Sequence, residues 1–280
     1  MPLSLVLGLL MSPGAAVAPA AEALADGAAR YEGRAAGARG AVASPVPIEA
    51  AIAAYRRAAT LDPASLEASV GLLRSLFFRG GFTRADPATS RRVFAEARDV
   101  AVAAVDRLET RLGSLKGEAR MKALRATPGA SALYFWAGVS WGQWALTTSR
   151  LAAARQGTAG KIRDLVETSL ALDPALEQGS AHVLLGRLHD QSPRIPFFTF
   201  WISRKTALQQ LEAAHAMSPG NTVAQYFLAE AILRHAPERR AEAGRLLLEC
   251  AAATPRPEFL VEDAHYAIQA RQMLAALDAR

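Results

Sequence analysis

Prolines that close helices constrain this chain more than any other feature. In KIRDLVETSLALDPALEQGSAHVLLGRLHDQ, residues 161–191, Ile162, Leu165, Val166, Ser169, Leu170 and Leu172 recur at a spacing that gives a helix one apolar face. Asp173-Pro174 then stops that helix near Leu172, because proline has no N–H and its ring clashes with the preceding turn. A second helix follows, and its Gly179, Ser180, Ala181 and Gly186 permit a close neighbour. Such a pair cannot bury both its faces alone and requires copies stacked beside it.

Counting back from other prolines finds the copies. Ala58, Tyr55 and Ala51 precede Pro63 by 5, 8 and 12 residues; Ala214, Leu211 and Ala207 precede Pro219 at the same offsets; Ser169, Val166 and Ile162 precede Pro174. This pattern of small, large apolar and small (Ile in the third copy) resembles the second helix and closing proline of a tetratricopeptide (TPR) repeat, a unit of about 34 residues. With weaker corners at Pro128 and Pro255, the successive spacings are 65, 46, 45 and 36 residues. The expectation is an all-α, TPR-like solenoid of helix pairs with irregular insertions, closed by a capping helix over residues 259–277. An irregular helical bundle is the alternative.

The 51% apolar content of the 280 residues is ample for a core, and alternating strand patterns are nearly absent. The formal charge of +6 is almost all arginine scattered among acids, without a basic run interleaved with aromatics, so nucleic acid is not an expected partner. Cys250 is the only cysteine; it cannot form an internal disulfide and reads as a small core residue.

Residues 1–21 read as a signal peptide: an apolar run over residues 3–11, too short to span a membrane, then small residues with Ala18-Pro19-Ala20 at the cleavage position. No Lys or Arg precedes the run. No cysteine follows it closely, so lipid attachment at a processed N-terminus is not expected. Residues 22–47 read as a helix and linker, and residues 48–280 as the solenoid. Asp86-Pro87 opens a long helix to about Leu112, and residues 114–126 read as short and exposed.

Two aromatic clusters stand out. ALYFWAGVSWGQWALTTSRL, residues 132–151, holds three of the four tryptophans; Tyr134, Trp141 and Trp144 lie near one helical stripe, and Gly138 and Gly142 form a small-xxx-small pair for close packing. SPRIPFFTFW, residues 192–201, is a proline-bounded loop with four aromatics. Such a loop packs back on the fold, meets a partner or touches lipid. Tyr134, Trp141, Trp144, Phe197, Phe198 and Trp201, with His182, Arg187 and His189 as polar neighbours, are the candidate ligand- or partner-binding residues, expected to line one cavity or docking face. The bland reading of the first cluster is that its rings fill the core; of the second, a staple folded over the solenoid. No catalytic, metal or cofactor constellation is visible: none of the five histidines forms H-E-x-x-H, and there is no P-loop or nucleophile elbow.

Taken in order, the LYFWAGVSWGQWA helix, the LDP corner, the passage GRLHDQSP, the A-x-x-x-L-x-x-A helix before MSPGN and the final segment with Glu262-Asp263 and Arg271 to Leu274 resemble the T component of TRAP-type transporters, the TatT family. The resemblance covers residues 49–277 and is closest from Leu133 onward; the order of several weak motifs carries it. It implies a periplasmic, non-enzymatic protein that docks a solute-binding P component, works with a membrane permease and shelters an apolar ligand, with homo-oligomers possible. The other function that fits is a TPR scaffold or adaptor for envelope or secretion-complex assembly.

Overall fold

The computed structural model describes residues 13–197 and 199–278. The apolar run over residues 3–11, and Phe198 of the aromatic loop, lie outside the described residues. Thirteen α-helices and four short 3-10 turns make up the described fold, with two isolated backbone bridges and no strand.

The helices are α1 (Pro13–Glu32), α2 (Pro45–Leu61), α3 (Leu66–Gly81), α4 (Pro87–Leu112), α5 (Gly117–Arg125), α6 (Ala130–Thr147), α7 (Arg150–Arg155), α8 (Thr158–Leu172), α9 (Ser180–Gln191), α10 (Arg204–Met217), α11 (Thr222–His235), α12 (Arg240–Ala252) and α13 (Leu260–Asp278). Their starts follow from local chemistry. Asp86 accepts the Ala88 and Thr89 N–H groups at 2.9 and 3.0 Å ahead of Pro87, and Ser65, Ser149, Ser203 and Asn221 cap α3, α7, α10 and α11 in the same way.

The nine positions aligned on the closing prolines are all buried: Ala51, Tyr55 and Ala58 in α2, Ile162, Val166 and Ser169 in α8, Ala207, Leu211 and Ala214 in α10. Each large residue is met by a glycine of the preceding helix. A Cβ on Gly27 of α1 would lie 2.8 Å from the Tyr55 ring, one on Gly138 of α6 2.9 Å from Val166, and one on Gly186 of α9 2.6 Å from Leu211. These glycine-to-side-chain contacts define the pairs as α1/α2, α6/α8 and α9/α10; α3/α4 and α11/α12 pack likewise, and α13 caps the last pair. The solenoid therefore begins with α1, ahead of the residue-48 boundary read from sequence.

The irregular proline spacing has three sources. Helix α5 lies between pairs, while α7 and the loop over residues 192–203 are inserted inside pairs, between first and second helix. Residues 114–126 are more than an exposed link, because Leu124 of α5 is fully buried.

First helices touch the first helices on either side: α1 meets α3, α3 meets α6, α6 meets α9, α9 meets α11 and α11 meets α13. They form the inner layer of a curved array, with α2, α4, α8, α10 and α12 outside. The curve is tight enough for the two ends to meet. Arg34, just after α1 and almost fully buried, donates to the Glu262 carboxylate of α13 at 3.0 Å and to the Glu258 carbonyl. Phe82, after α3, packs edge-on against His265 at 5.5 Å, and Val261 joins the apolar core formed by α2 to α9.

Candidate functional site

Helix α6 is apolar nearly all round, and Leu133 through Trp141 are buried without interruption. It sits in the inner layer between α3 and α9, with α4 and α8 over its outer side. Those two outer helices are parted along part of their length. The gap is an open groove of about 340 Å³ with Tyr134, Ala137 and Trp141 of α6 as its floor. Ala101, Val105, Asp106 and Glu109 of α4 form one wall; Lys161, Asp164, Leu165 and Thr168 of α8 form the other, and Arg120 of α5 closes one end.

The closed end is polar and internally matched. Glu109 accepts hydrogen bonds from the Tyr134 hydroxyl and from Arg120, whose Nε lies 3.2 Å away; Arg120 also donates to the Tyr134 oxygen at 3.1 Å. The bond from Arg120 holds the Glu109 carboxyl below the usual carboxylate range, against the opposing effect of burial. Burial, then the adjacent Glu109 carboxylate, pushes the Tyr134 hydroxyl well up, so it stays protonated. At the other end the Lys161 ammonium lies 4.4 Å from the Trp141 ring centre. The groove thus offers an aromatic floor, a fixed carboxylate–guanidinium pair and a mobile cation. It contains no nucleophile beside a base, and among the described residues no group of three or more His, Cys, Asp or Glu could hold a metal ion.

The predicted residues do not converge on one cavity. Tyr134 and Trp141 line the groove. Trp144 is buried behind it, edge-on to Trp141 at 5.6 Å and under the Arg98 guanidinium at 4.5 Å. His182 bonds Gln210 at 2.7 Å between α9 and α10. Arg187 pairs with Asp190 at 3.0 Å and with Glu230, and its guanidinium lies 3.9 Å from the Phe227 ring centre, so it joins α9 to α11. His189 is buried; its Nδ1 accepts the Ser203 N–H at 3.1 Å, which fixes the proton on Nε2, and burial with the nearby Arg163 lowers its pKa. Trp201 is half-buried between His189 and the Arg163 guanidinium. Phe197 is 93% exposed, with a left-handed backbone (φ 66°). One cavity shared by the aromatic helix and the loop is therefore corrected to two surfaces, because α8 stands between Trp141, which its Lys161 covers, and Trp201, which its Arg163 covers. The loop does not fold over the solenoid as a staple either: Trp201 tucks in and Phe197 points out.

Glu109, Arg120 and Lys161 were not anticipated. Glu109 stands 11 and 25 residues from its partners Arg120 and Tyr134. No helical spacing brings such residues together, so the sequence carries no signal for them.

No family model matches the chain, and comparison with curated proteins gives no match. Among solved structures, the chain is similar to a monomeric mutant of IFIT1 with m7Gppp-AAAA, at a TM-score of 0.40 and 17% identity. The match covers 83% of this chain and 55% of that one, so the chain spans about half the length of that structure.

Proposed function

We propose that the chain is a non-enzymatic docking scaffold that recognises its partner through the groove over α6. One observation carries this reading: α4 and α8 part over α6 to leave a charged-rimmed groove whose floor is the largely buried rings of Tyr134 and Trp141. Within this class, the finer assignment is an extracytoplasmic T component of a TRAP-type transporter, docking a solute-binding protein and working with a permease. It rests on the order of sequence motifs alone.

The test is a crosslinked pull-down of the tagged protein from its native cell envelope, alongside Lys161→Glu, whose exposed side chain on the groove wall can be reversed without touching the core. Recovery of a solute-binding protein with the native chain, reduced at least tenfold in the variant, is the expected result. Recovery of outer-membrane or secretion-complex proteins would favour an assembly adaptor. Equal capture by both chains would remove the groove from the argument.

A further inference from the structure

The two insertions within pairs fall on the same edge of the solenoid. Helix α6 ends and α8 begins where α7 sits, and α9 ends and α10 begins where the loop over residues 192–203 sits. Consecutive packed helices run antiparallel, so the end of α9 returns to the start of α8. The contact between Arg163, near the start of α8, and Trp201 in the loop, at 4.5 Å, fixes the two insertions as neighbours.

This edge pairs exposed apolar side chains with exposed cations. Leu146 at the end of α6 is 75% exposed, and Leu151, Ile195, Phe197 and Phe200 also stand out into solvent. Arg150, Arg155, Arg194, Arg204 and Lys205 are exposed beside them, and none forms an ion pair among the described residues. Acids are missing from the underlying text: residues 119–163 contain no Asp or Glu, nor do residues 191–211. Elsewhere the arginines alternate with acids and pair with them, as Arg239 does with Glu212 and Glu242. The loop is built to hold its rings outward. Thr199 accepts the Ile195 N–H at 2.8 Å and donates to the Pro193 carbonyl at 2.6 Å, and Arg194 donates to the Phe200 carbonyl at 3.0 Å.

We infer that this edge is a membrane-docking surface that binds an anionic lipid bilayer, with Phe197, Phe200, Leu146 and Leu151 entering the headgroup boundary and the five cations facing acidic headgroups. Aromatic and aliphatic tips ringed by unpaired Lys and Arg are the chemistry of interfacial binding. Single-stranded nucleic acid would use the cations and ring faces but has no role for Leu146 and Leu151, which stand at the corner as bare aliphatic tips. The groove over α6 opens on the outer face and is lined by none of the residues named for this edge, so the inference does not depend on the docking role given to it.

Co-sedimentation of the full chain with vesicles tests it. Binding is expected to phosphatidylcholine vesicles containing phosphatidylglycerol, and not to phosphatidylcholine alone, and to weaken with salt as screening shortens. The double variant F197D/F200D should lose at least tenfold in vesicle affinity, and each charge reversal at Arg204 or Lys205 about fivefold or more. Leu115→Asp, an exposed apolar residue on the opposite edge, should bind as the native chain does. These positions are exposed, so circular dichroism should report an unchanged fold. Equal binding to both vesicle types, indifference to F197D/F200D, or capture of a single-stranded RNA oligonucleotide in place of vesicles would overturn the proposal.

Discussion

The three glycines that face Tyr55, Val166 and Leu211 let the helices of a pair approach more closely than any side chain would allow. Gly186 is the most confined: a Cβ there meets Leu211 at 2.6 Å and the Ala207 carbonyl at 3.1 Å, and backbone cannot move aside as a side-chain tip can. Gly186→Ala is expected to cost about 1–3 kcal/mol, read as a fall in denaturant midpoint. Gly142→Ala is the control. Its Cβ would meet nothing within 4 Å, so the substitution should be neutral or stabilise by up to ~1 kcal/mol through helix propensity. The sequence treated Gly138 and Gly142 as an equal pair, and only Gly138 approaches a neighbour; one residue type at helical spacing does not say which copy faces the partner. Cys250 was legible as a core residue. It is fully buried, its thiol donates to the Thr222 carbonyl at 3.5 Å, and burial, followed by the nearby Asp263 charge, pushes its pKa up to about 12. It should resist maleimide in the native state and react at one equivalent only after unfolding, measured by mass.

At the scale of elements, the helix stops were written in the text and the turns between them were not. Helix α8 ends at Leu172 ahead of Asp173-Pro174, and α4 starts at Pro87 and stops at Leu112 before Gly113, whose φ is 62°. After Pro174, however, Glu177 and Gln178 adopt left-handed backbone at φ 45° and 62°, which neither residue type favours. Tertiary contacts hold them there. Glu177 accepts the Trp136 indole N–H at 3.0 Å, and Gln178 accepts from Arg256 at 2.7 Å and from Ser218 at 3.2 Å. A short corner thereby ties α6, α10 and the start of α13 together, by bonds that no local pattern foretells. Arg256 also clasps Asp263, which is 1% exposed and further bonded by Thr222 at 2.7 Å. Burial alone would raise the Asp263 pKa, but the bonds from Arg256 and Thr222 outweigh it and leave the carboxyl below its usual range. Because the folded pKa is depressed, this contribution is fully present above the ordinary carboxylate range and is lost as pH falls through the folded value. Asp263→Asn should lower stability by about 3 kcal/mol at neutral pH and flatten the acid limb of the stability curve, measured by urea melts across pH.

For the whole molecule, repetition was legible and closure was not. Ala51, Tyr55, Ala58 and their counterparts announce stacked pairs, because burial against a neighbour repeats with the repeat. That the stack bends until Arg34 reaches Glu262, 228 residues away, depends on small rotations summed over every pair, and no single segment encodes the sum. The same reason hid the groove, whose walls come from α4 and α8 and whose floor comes from α6. Glu262→Ala would leave the buried Arg34 guanidinium without its countercharge, at a cost of about 3 kcal/mol. Hydrogen exchange should then quicken together in residues 33–38 and 257–266, with the middle pairs little changed. An open solenoid has two raw ends, and a second copy can add to either to make a filament. Here the Arg34–Glu262 clasp joins the turn after α1 to the start of α13, so two segments far apart along the described array are coupled: loosening either one strips the other of its buried partner.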